Sequence, residues 1–345
     1  MRFRKSTPSR KITLIFGVVM LCLSGILMGS GSGVAELEAR DSIRLAYASP
    51  SASFTPVWIA KTQGIFEKNG LDVNIILIQG ASVYMPALFK DEIQVLYGGG
   101  TAVSREVARG DRGVVIIGTE TVYIPLRMMV HPKIQSVADL KGKKIAVGPA
   151  GLDEYATLLL LNRYGISPSD VTLIYYTGGI PARAAAMQQG LFDAMAINPP
   201  NEHQLEKLGF RQLVNFMDLR MPYAGVPYTV MRSYLDTHRD TLNRVMLSIV
   251  QSIRIFMEKP EVAKAVIGKL TRESDREILD RTYRDYLKQY QAIDGKPFPF
   301  VEGLNAMISG FHMRFTPQLV KVKDSAPFTD RSFVDYAVSV VYSGR

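Results

Sequence analysis

The feature that most constrains the fold is an alternation of short apolar strands with helices that begins at Ile43. Strand character in the first half lies at 43–47, 71–78, 93–97 and 114–118. Between these strands the pattern predicts helices from Thr55 to near Gly64, at 82–90 and at 101–110. Alternation with short connections is typical of an α/β fold with a largely parallel sheet.

The pattern restarts after residues 127–130. Strands are predicted at 144–148, 171–176 and 194–197, with helices at 136–140, 153–164 and 181–189. A helix, a tight turn, a strand and a special loop occur in the same order at 86–100 and at 186–200. Two similar α/β lobes are the simplest interpretation, and one long doubly wound sheet is the alternative. Beyond about Thr229 the chain is predicted to be helical, at 237–258, 261–269, 274–291 and 301–311.

The first 35 residues have the build of an export signal: a basic start, an apolar run from Ile12 to Met28, and a stretch of small residues. We predict cleavage near Ala35, which places the mature chain in the periplasm. A retained anchor is the alternative, although a spanning helix needs about 20 apolar residues. Cys22, the only cysteine, lies in the apolar run. The mature chain would then have no thiol for disulfides, metal sites or nucleophilic catalysis.

Charge and length narrow the classes of function. The leader carries five basic and no acidic residues, so its removal lowers the formal charge from +9 to +4. That balance gives no argument for nucleic acid as a partner. A mature chain of roughly three hundred residues suggests two domains.

The common catalytic signatures do not occur in the sequence. There is no Gly-x-Ser-x-Gly elbow, no phosphate loop and no His-Glu-x-x-His. The histidines have no ligand spacing; they are His131, His203, His238 and His312. We therefore predict no metal site, no cofactor and no enzymatic activity.

Loops that leave a strand and enter a helix are the best candidates for a binding site. They combine small residues with hydroxyls and lie at 49–55, 79–82, 98–101 and 148–152. Free amides at a helix N-terminus suit an anion or another acceptor-rich small molecule. In open α/β sheets, ligands bind at the carboxyl ends of strands. Each loop alone is explained by ordinary capping, but together they predict a cleft.

Three segments carry a resemblance to a known family. TPVWIAKTQGIFEKNGLDV at 55–73, VADLKGKKIAV at 137–147 and AAAMQQGLFDA at 184–194 resemble the NMT1/THI5-like, nitrate/sulfonate/taurine-type solute-binding proteins of ABC importers. The resemblance extends over about 42–310. It implies a type II periplasmic-binding-protein fold with two lobes, each a mostly parallel sheet flanked by helices. The lobes would hold 42–123 with 226–345, and 124–225.

The same resemblance implies a function. The chain would capture a small organic or anionic solute and deliver it to an ABC permease in the inner membrane, as a monomer. The ligand-binding residues it implies are Ser51, Phe54, Gly80, Ser82, Gly99, Thr101, Gly151 and Asn198. For Phe54, a core position under the loop is the alternative. Arg183 is the one basic candidate, with a solvent-facing role as its alternative.

Two other functions stay open from the sequence. One is a small-molecule enzyme on the same fold, because the family name includes eukaryotic pyrimidine-synthesising enzymes. Those enzymes carry a cysteine-rich motif that this chain lacks, which disfavours that interpretation. The other is the ligand-binding component of a sensor.

Overall fold

The computed structural model of the chain describes residues 40–110, 113–149, 151–176, 180–311 and 320–343. The export signal predicted at 1–35, together with His312, lies outside these residues, so both interpretations stay predictions. Within the described ranges, no helix is both long and apolar enough to cross a membrane.

Ten strands among the described residues form two separate sheets. The first sheet contains β1 (Asp41–Tyr47), β2 (Leu71–Leu77), β3 (Val95–Tyr97), β4 (Val114–Tyr123) and β10 (Pro222–Met231). The second contains β5 (Arg127–Val130), β6 (Lys144–Val147), β7 (Thr172–Tyr175), β8 (Ala194–Ile197) and β9 (Arg211–Asn215). The strand orders are β2-β1-β3-β10-β4 and β7-β6-β8-β5-β9.

The two sheets have the same plan. In each, three strands pair in parallel, as in the register Ile43↔Val73 of β1 with β2. The fourth strand in each order is antiparallel to both of its neighbours. Four of the five strands of each sheet therefore run in one direction, so the sheets are mixed but mostly parallel. The alternative of one long doubly wound sheet is wrong.

Thirteen helices are described around the sheets. The first half contributes α1 (Thr55–Thr62), α2 (Ile65–Lys68), α3 (Ala81–Phe89) and α4 (Gly100–Arg109). The second contributes α5 (Leu152–Arg163), α6 (Ile180–Gln188) and α7 (Asn201–Lys207). The C-terminal part holds α8 (Arg232–Thr237), α9 (Arg239–Glu258), α10 (Pro260–Thr271), α11 (Arg276–Ala292), α12 (Val301–Phe311) and α13 (Ser332–Tyr342).

The helices cover the faces of the sheets. The apolar stripe of α9 packs against one face of the first sheet together with α1, α10, α11 and α13. The faces of the second sheet are covered by α5 on one side and by α6 and α7 on the other. Parallel strands that are buried on both faces read as continuous apolar runs, as in the four buried residues of β8.

The chain passes from the first sheet to the second after Tyr123 and comes back at Pro222, where β10 pairs with β4. That return lies ahead of the predicted boundary at residue 226. The α/β fold class predicted from the sequence is confirmed. We call the first sheet with its helices the first lobe, and the second sheet with α5, α6 and α7 the second lobe.

Candidate ligand-binding site between the two lobes

A cavity of about 310 Å³ lies where the carboxyl ends of β1, β3, β6 and β8 meet. The first lobe lines it with Ala48, Ser49, Ser51, Ser53, Phe54, Gly98, Gly99, Gly100, Thr101, Tyr223 and Val226. The second lobe and the connection to it contribute Pro125, Leu126, Leu152, Asp153, Arg183, Ala196, Ile197 and Asn198. Both lobes therefore contribute to one site, as expected at the carboxyl ends of strands.

The loop after β1 holds its hydroxyls in fixed positions. Oγ of Ser51 accepts from the amide of Ser53 at 3.2 Å and caps a short 3₁₀ turn at Ala52–Phe54. Oγ of Ser53 lies 2.9 Å from Oη of Tyr286 on α11. The turn leads directly into α1, which has Pro56 in its first turn. The capping therefore orients polar groups at the cavity as well as starting a helix.

A hydrogen bond between side chains of the two lobes lies in the wall of the cavity. Nδ2 of Asn198, which follows β8, donates to Oγ of Ser51 at 2.9 Å. The backbone carbonyl of Asn198 in turn accepts from Nδ2 of Asn201 at 3.1 Å, which ties this loop to the start of α7. The two loops are thus in direct polar contact.

Phe54 forms part of the cavity floor and of the core beneath it. Its side chain is only 5 % exposed, and its ring packs edge-on against Tyr97 with centroids 4.9 Å apart. Tyr97 stacks on Tyr228 at 4.3 Å. The core packing that was one interpretation of Phe54 is therefore present, and contact with a ligand stays a prediction.

The N-terminus of α4 opens on the cavity. Gly99 adopts φ +69°, and a Cβ there would lie 2.9 Å from Oη of Tyr84. A Cβ at Gly100 would lie 2.7 Å from the carbonyl oxygen of Ala224. Glycines are thus required for the close packing of this turn. The first amides of α4 have no acceptor within the helix, and the positive end of its dipole lies at the cavity.

An ion pair forms the opposite wall. Nη1 of Arg183 lies 2.6 Å from Oδ2 of Asp153, and the same oxygen accepts from the amide of Gly148 at 2.6 Å. Nη2 of Arg183 donates to the carbonyl of Tyr176 at 3.1 Å. Both charged side chains are largely buried, so the solvent-facing interpretation of Arg183 is wrong. The pair brings two opposite charges to the cavity without a net charge.

Comparisons with known proteins agree with this architecture. The family model described as NMT1/THI5 like matches residues 51–263. The chain belongs to the NMT1/THI5-like family. The resemblance predicted from the three segments is therefore confirmed for the family.

Relatives of this NMT1/THI5-like protein include solute-binding proteins. A putative aliphatic sulfonates-binding protein of Escherichia coli is 25% identical over 260 residues, which cover 73% of this chain and 78% of that protein. Solved structures share the two-lobed fold. One is the alkanesulfonate-binding protein SsuA from Xanthomonas axonopodis bound to MOPS, with TM-score 0.66, 20% identity, and coverage of 84% of this chain and 98% of that one. Another is the periplasmic nitrate-binding protein NrtA from Synechocystis, with TM-score 0.68, 12% identity, and coverage of 88% and 89%.

The structure of this NMT1/THI5-like chain brings most of the predicted site residues together. Ser51, Phe54, Gly99, Thr101 and Asn198 all line the cavity. Their contact with a ligand stays a prediction.

Three predicted residues lie outside the lining of the cavity. Gly80 and Ser82 follow β2, which is the edge strand of the first sheet, so their loop lies to one side and Ser82 is exposed. Gly151 is covered by Asp153, since a Cβ at Gly151 would lie 2.5 Å from Oδ1 of that carboxylate. The cavity is lined instead by the next two residues, Leu152 and Asp153, which are the first residues of α5.

A buried carboxyl supports the cavity floor in this family member. Glu120 on β4 is fully buried, and it accepts from Oη of Tyr228 and, at 3.0 Å, from Oη of Tyr290. Loss of solvation raises the pKa of Glu120 to about 7. Glu120 was not among the residues predicted from the sequence. The available signal was a glutamate within a strand that is otherwise mostly apolar, since β4 has the sequence VVIIGTETVY.

Proposed function

We propose that this chain is the extracytoplasmic solute-binding component of an ABC importer. The observation that carries the proposal is the cavity lined by both lobes, with the Ser51–Asn198 hydrogen bond in its wall. A ligand held there contacts both lobes at once. It therefore favours the closed arrangement by the contacts that only this arrangement provides.

The ligand class follows from the cavity's chemistry. Acceptor-rich groups suit the N-terminus of α4, the hydroxyl of Ser51 and the guanidinium of Arg183. Apolar surface comes from Phe54, Leu126 and Ile197. We propose a small organic anion, with a sulfonate or carboxylate head and an apolar body.

Size argues for an organic body. A cavity of about 310 Å³ falls within the roughly 300–1,000 Å³ that is typical of sites for small organic molecules. A bare inorganic anion would leave most of that space to water. The names of the relatives, which mention aliphatic sulfonates, alkanesulfonate and nitrate, support the anionic head.

We also propose that the site binds without covalent chemistry. The titratable side chains among the described lining residues are Asp153, Arg183 and Tyr223. Oδ2 of Asp153 pairs with Arg183 and accepts from the amide of Gly148. Because this oxygen is already engaged, Asp153 is poorly suited to act as a general base. Delivery to a permease in the inner membrane, from the periplasm and as a monomer, completes the proposal.

A ligand screen by thermal shift tests it first. The probes are alkanesulfonates, aromatic sulfonates, nitrate, aromatic carboxylates, amino acids and pyrimidines. A ligand at 100 times its dissociation constant stabilises by about 2.7 kcal/mol. An organic sulfonate or carboxylate should give the largest shift and return unchanged after incubation. Conversion of a probe to a product would contradict a binding role.

Paired variants then test the anionic head by calorimetry. Arg183→Gln should lower the affinity for the best anion about tenfold or more, which is a loss of about 1.4 kcal/mol of binding free energy. Asp153→Asn should strengthen it, because the guanidinium loses its competing partner. Arg163→Gln, an exposed site on α5, is the matched control and should change nothing. Equal affinities in all three variants would exclude Arg183 as the anion contact.

A further inference from the structure

A second cluster of charged side chains lies between the lobes, and none of its members lines the cavity. Glu202 and His203 stand at the start of α7 in the second lobe, and Asp285 comes from α11 in the first lobe. Arg127 of β5 lies beside them. Glu202 is fully buried, and His203 is 5 % exposed. His203 and Glu202 of the second lobe thus meet Asp285 of the first lobe in a place largely shielded from solvent.

The three potential ligand atoms converge. Nε2 of His203 lies 3.5 Å from Oε1 of Glu202 and 3.3 Å from Oδ2 of Asp285. One ligand atom from each residue lies within 4.8 Å of the others. A tetrahedral ion with bonds of 2.0–2.2 Å separates its ligands by roughly 3.4 Å. The spacing around His203 therefore already matches a coordination shell.

Glu202 has no hydrogen bond that would explain its burial. Neither carboxylate oxygen has a hydrogen-bond partner among the described residues, and the same holds for both ring nitrogens of His203. A buried carboxylate without donors is costly, and such groups are usually paired or bound to a metal. A divalent cation would supply the missing partner to both side chains at once.

The surrounding contacts resemble an outer coordination shell. Nη2 of Arg127 lies 3.1 Å from Oδ1 of Asp285, which leaves Oδ2 directed at His203. Nδ1 of His203 lies 3.7 Å from Oε2 of Glu206, which is within ion-pair range but longer than a hydrogen bond. Arg281 of α11 donates to the same Glu206 oxygen at 2.6 Å. Metal-binding histidines typically use their second nitrogen on a carboxylate, and ligating carboxylates are themselves hydrogen-bonded.

We infer that Glu202, His203 and Asp285 bind one divalent transition-metal ion, with Zn²⁺ as the ion this set of one imidazole and two carboxylates suits best. A water would take the fourth position. Because Asp285 belongs to the first lobe and the other two ligands to the second, the ion also favours closure. This site differs from the prediction of no metal, because ligands that come from α7 and α11 leave no local spacing pattern in the sequence.

Zn²⁺ titration of the metal-free chain tests the site. The protein, without a histidine tag, is treated with a chelator, desalted and titrated with Zn²⁺ in a calorimeter. Co²⁺ added in parallel should show the visible absorption of a tetrahedral site. We expect one saturable equivalent in both experiments. Absence of saturable one-to-one binding would overturn the inference.

Variants assign the ligands. His203→Ala and Asp285→Asn should abolish the tight equivalent, with folding checked by circular dichroism. Glu206→Gln, at the outer shell, should weaken binding about 10- to 100-fold and is a milder change if the first two variants fold poorly. His131→Ala and Asp280→Asn are matched controls, since Asp280 lies on the same helix and pairs with Lys264. Unchanged affinity in His203→Ala overturns the site, and unchanged affinity in Asp285→Asn overturns its bridging of the lobes.

Discussion

Asn198 and Ser51 are hydrogen-bonded at 2.9 Å although they belong to loops of different sheets. Ser51 is fixed by the 3₁₀ turn that it caps, and Asn198 by its connection to α7. The bond is therefore made by two loops that are each held by their own lobe. The bond is thus part of the cavity wall and a contact between the lobes at the same time.

Removal of that bond should shift the lobes towards an open arrangement. A neutral hydrogen bond contributes about 0.5–1.5 kcal/mol net. Asn198→Ala should therefore increase the radius of gyration of the ligand-free chain in small-angle scattering. A ligand that binds should reduce the radius of the wild type. Asn162→Ala, an exposed asparagine on α5, is the control. A radius that does not respond to a bound ligand would contradict the two-lobe clamp.

Phe54→Ala should weaken both folding and binding. The ring is nearly fully buried between Tyr47 and Tyr97, so its loss should lower the free energy of unfolding by about 3–5 kcal/mol. Affinity should also fall, because the ring forms the floor of the cavity. Denaturant unfolding and calorimetry on the same variant measure the two effects. Phe54→Leu, which keeps apolar volume, should recover most of the stability.

That comparison separates the two roles of Phe54. If Phe54→Leu binds as tightly as the wild type, the ring makes no specific contact with the ligand. If Phe54→Ala folds normally, the core role fails.

Gly98→Ala should be more harmful than an alanine at another glycine with positive φ. A Cβ at Gly98 would lie 2.8 Å from Cε1 of Phe54, a ring that Tyr97 and Tyr47 keep in place, and φ is +104°. The overpacked Cβ should lower the free energy of unfolding by about 1–3 kcal/mol, in addition to the loss caused by the strained backbone. Gly142→Ala is the matched control: φ is +73° and nothing lies within 4 Å. Gly142→Ala should lower the free energy of unfolding by on the order of 1–3 kcal/mol, through backbone strain alone. Equal losses would mean that Phe54 can move away from Gly98.

Local periodicity explains how much of the fold could be predicted. The strand at 194–197 and the helix at 301–311 match the structure, because each pattern is complete within its own segment. β10 was missed: it carries Pro222 and Pro227, and its place is set by pairing with the distant β4. The short strand β5 was also missed, because its four residues become a strand only between β8 and β9.

The site was predictable where one loop carries its own signal. Ser51 and Thr101 combine hydroxyls with a helix start, so the chemistry is visible in the sequence. The Asp153–Arg183 pair was not visible as a pair, because it joins α5 to α6 across thirty residues of chain. Ser82 lies outside the cavity lining for a topological reason: it follows β2, and no local pattern shows that β2 is the edge strand.

Export should remove the leader. The order of basic, apolar and small residues at 1–35 predicts a mature chain that begins near Glu36. Sequencing of the N-terminus of protein isolated from the cell envelope measures this directly. A start at Met1 in the membrane fraction would leave the anchor as the remaining interpretation.

Glu120 should make the stability of the protein decrease with rising pH. Burial raises its pKa from 4.5 to about 7, so between these values the folded state holds a proton that the unfolded state has released. Stability is therefore highest below pH 4.5 as far as this group is concerned, falls as pH rises, and levels off above about 7. At about 1.4 kcal/mol per pH unit, the whole decrease is about 3 kcal/mol.

Glu120→Gln should remove this part of the pH dependence. The amide oxygen can still accept from a tyrosine hydroxyl, so the contacts with Tyr228 and Tyr290 need not all be lost. Denaturant unfolding at pH 5 and pH 8, with a chelator present, should show a decrease smaller by about 2.5 kcal/mol than in the wild type, because part of the decrease already occurs below pH 5. Burial also raises the pKa of Glu202 to about 7. Its contribution to the decrease in stability is therefore present in both the wild type and Glu120→Gln. Glu92→Gln, at an exposed carboxyl, should behave as the wild type. A Glu120→Gln variant with the wild-type pH dependence would show that this carboxyl is already ionised in the folded chain.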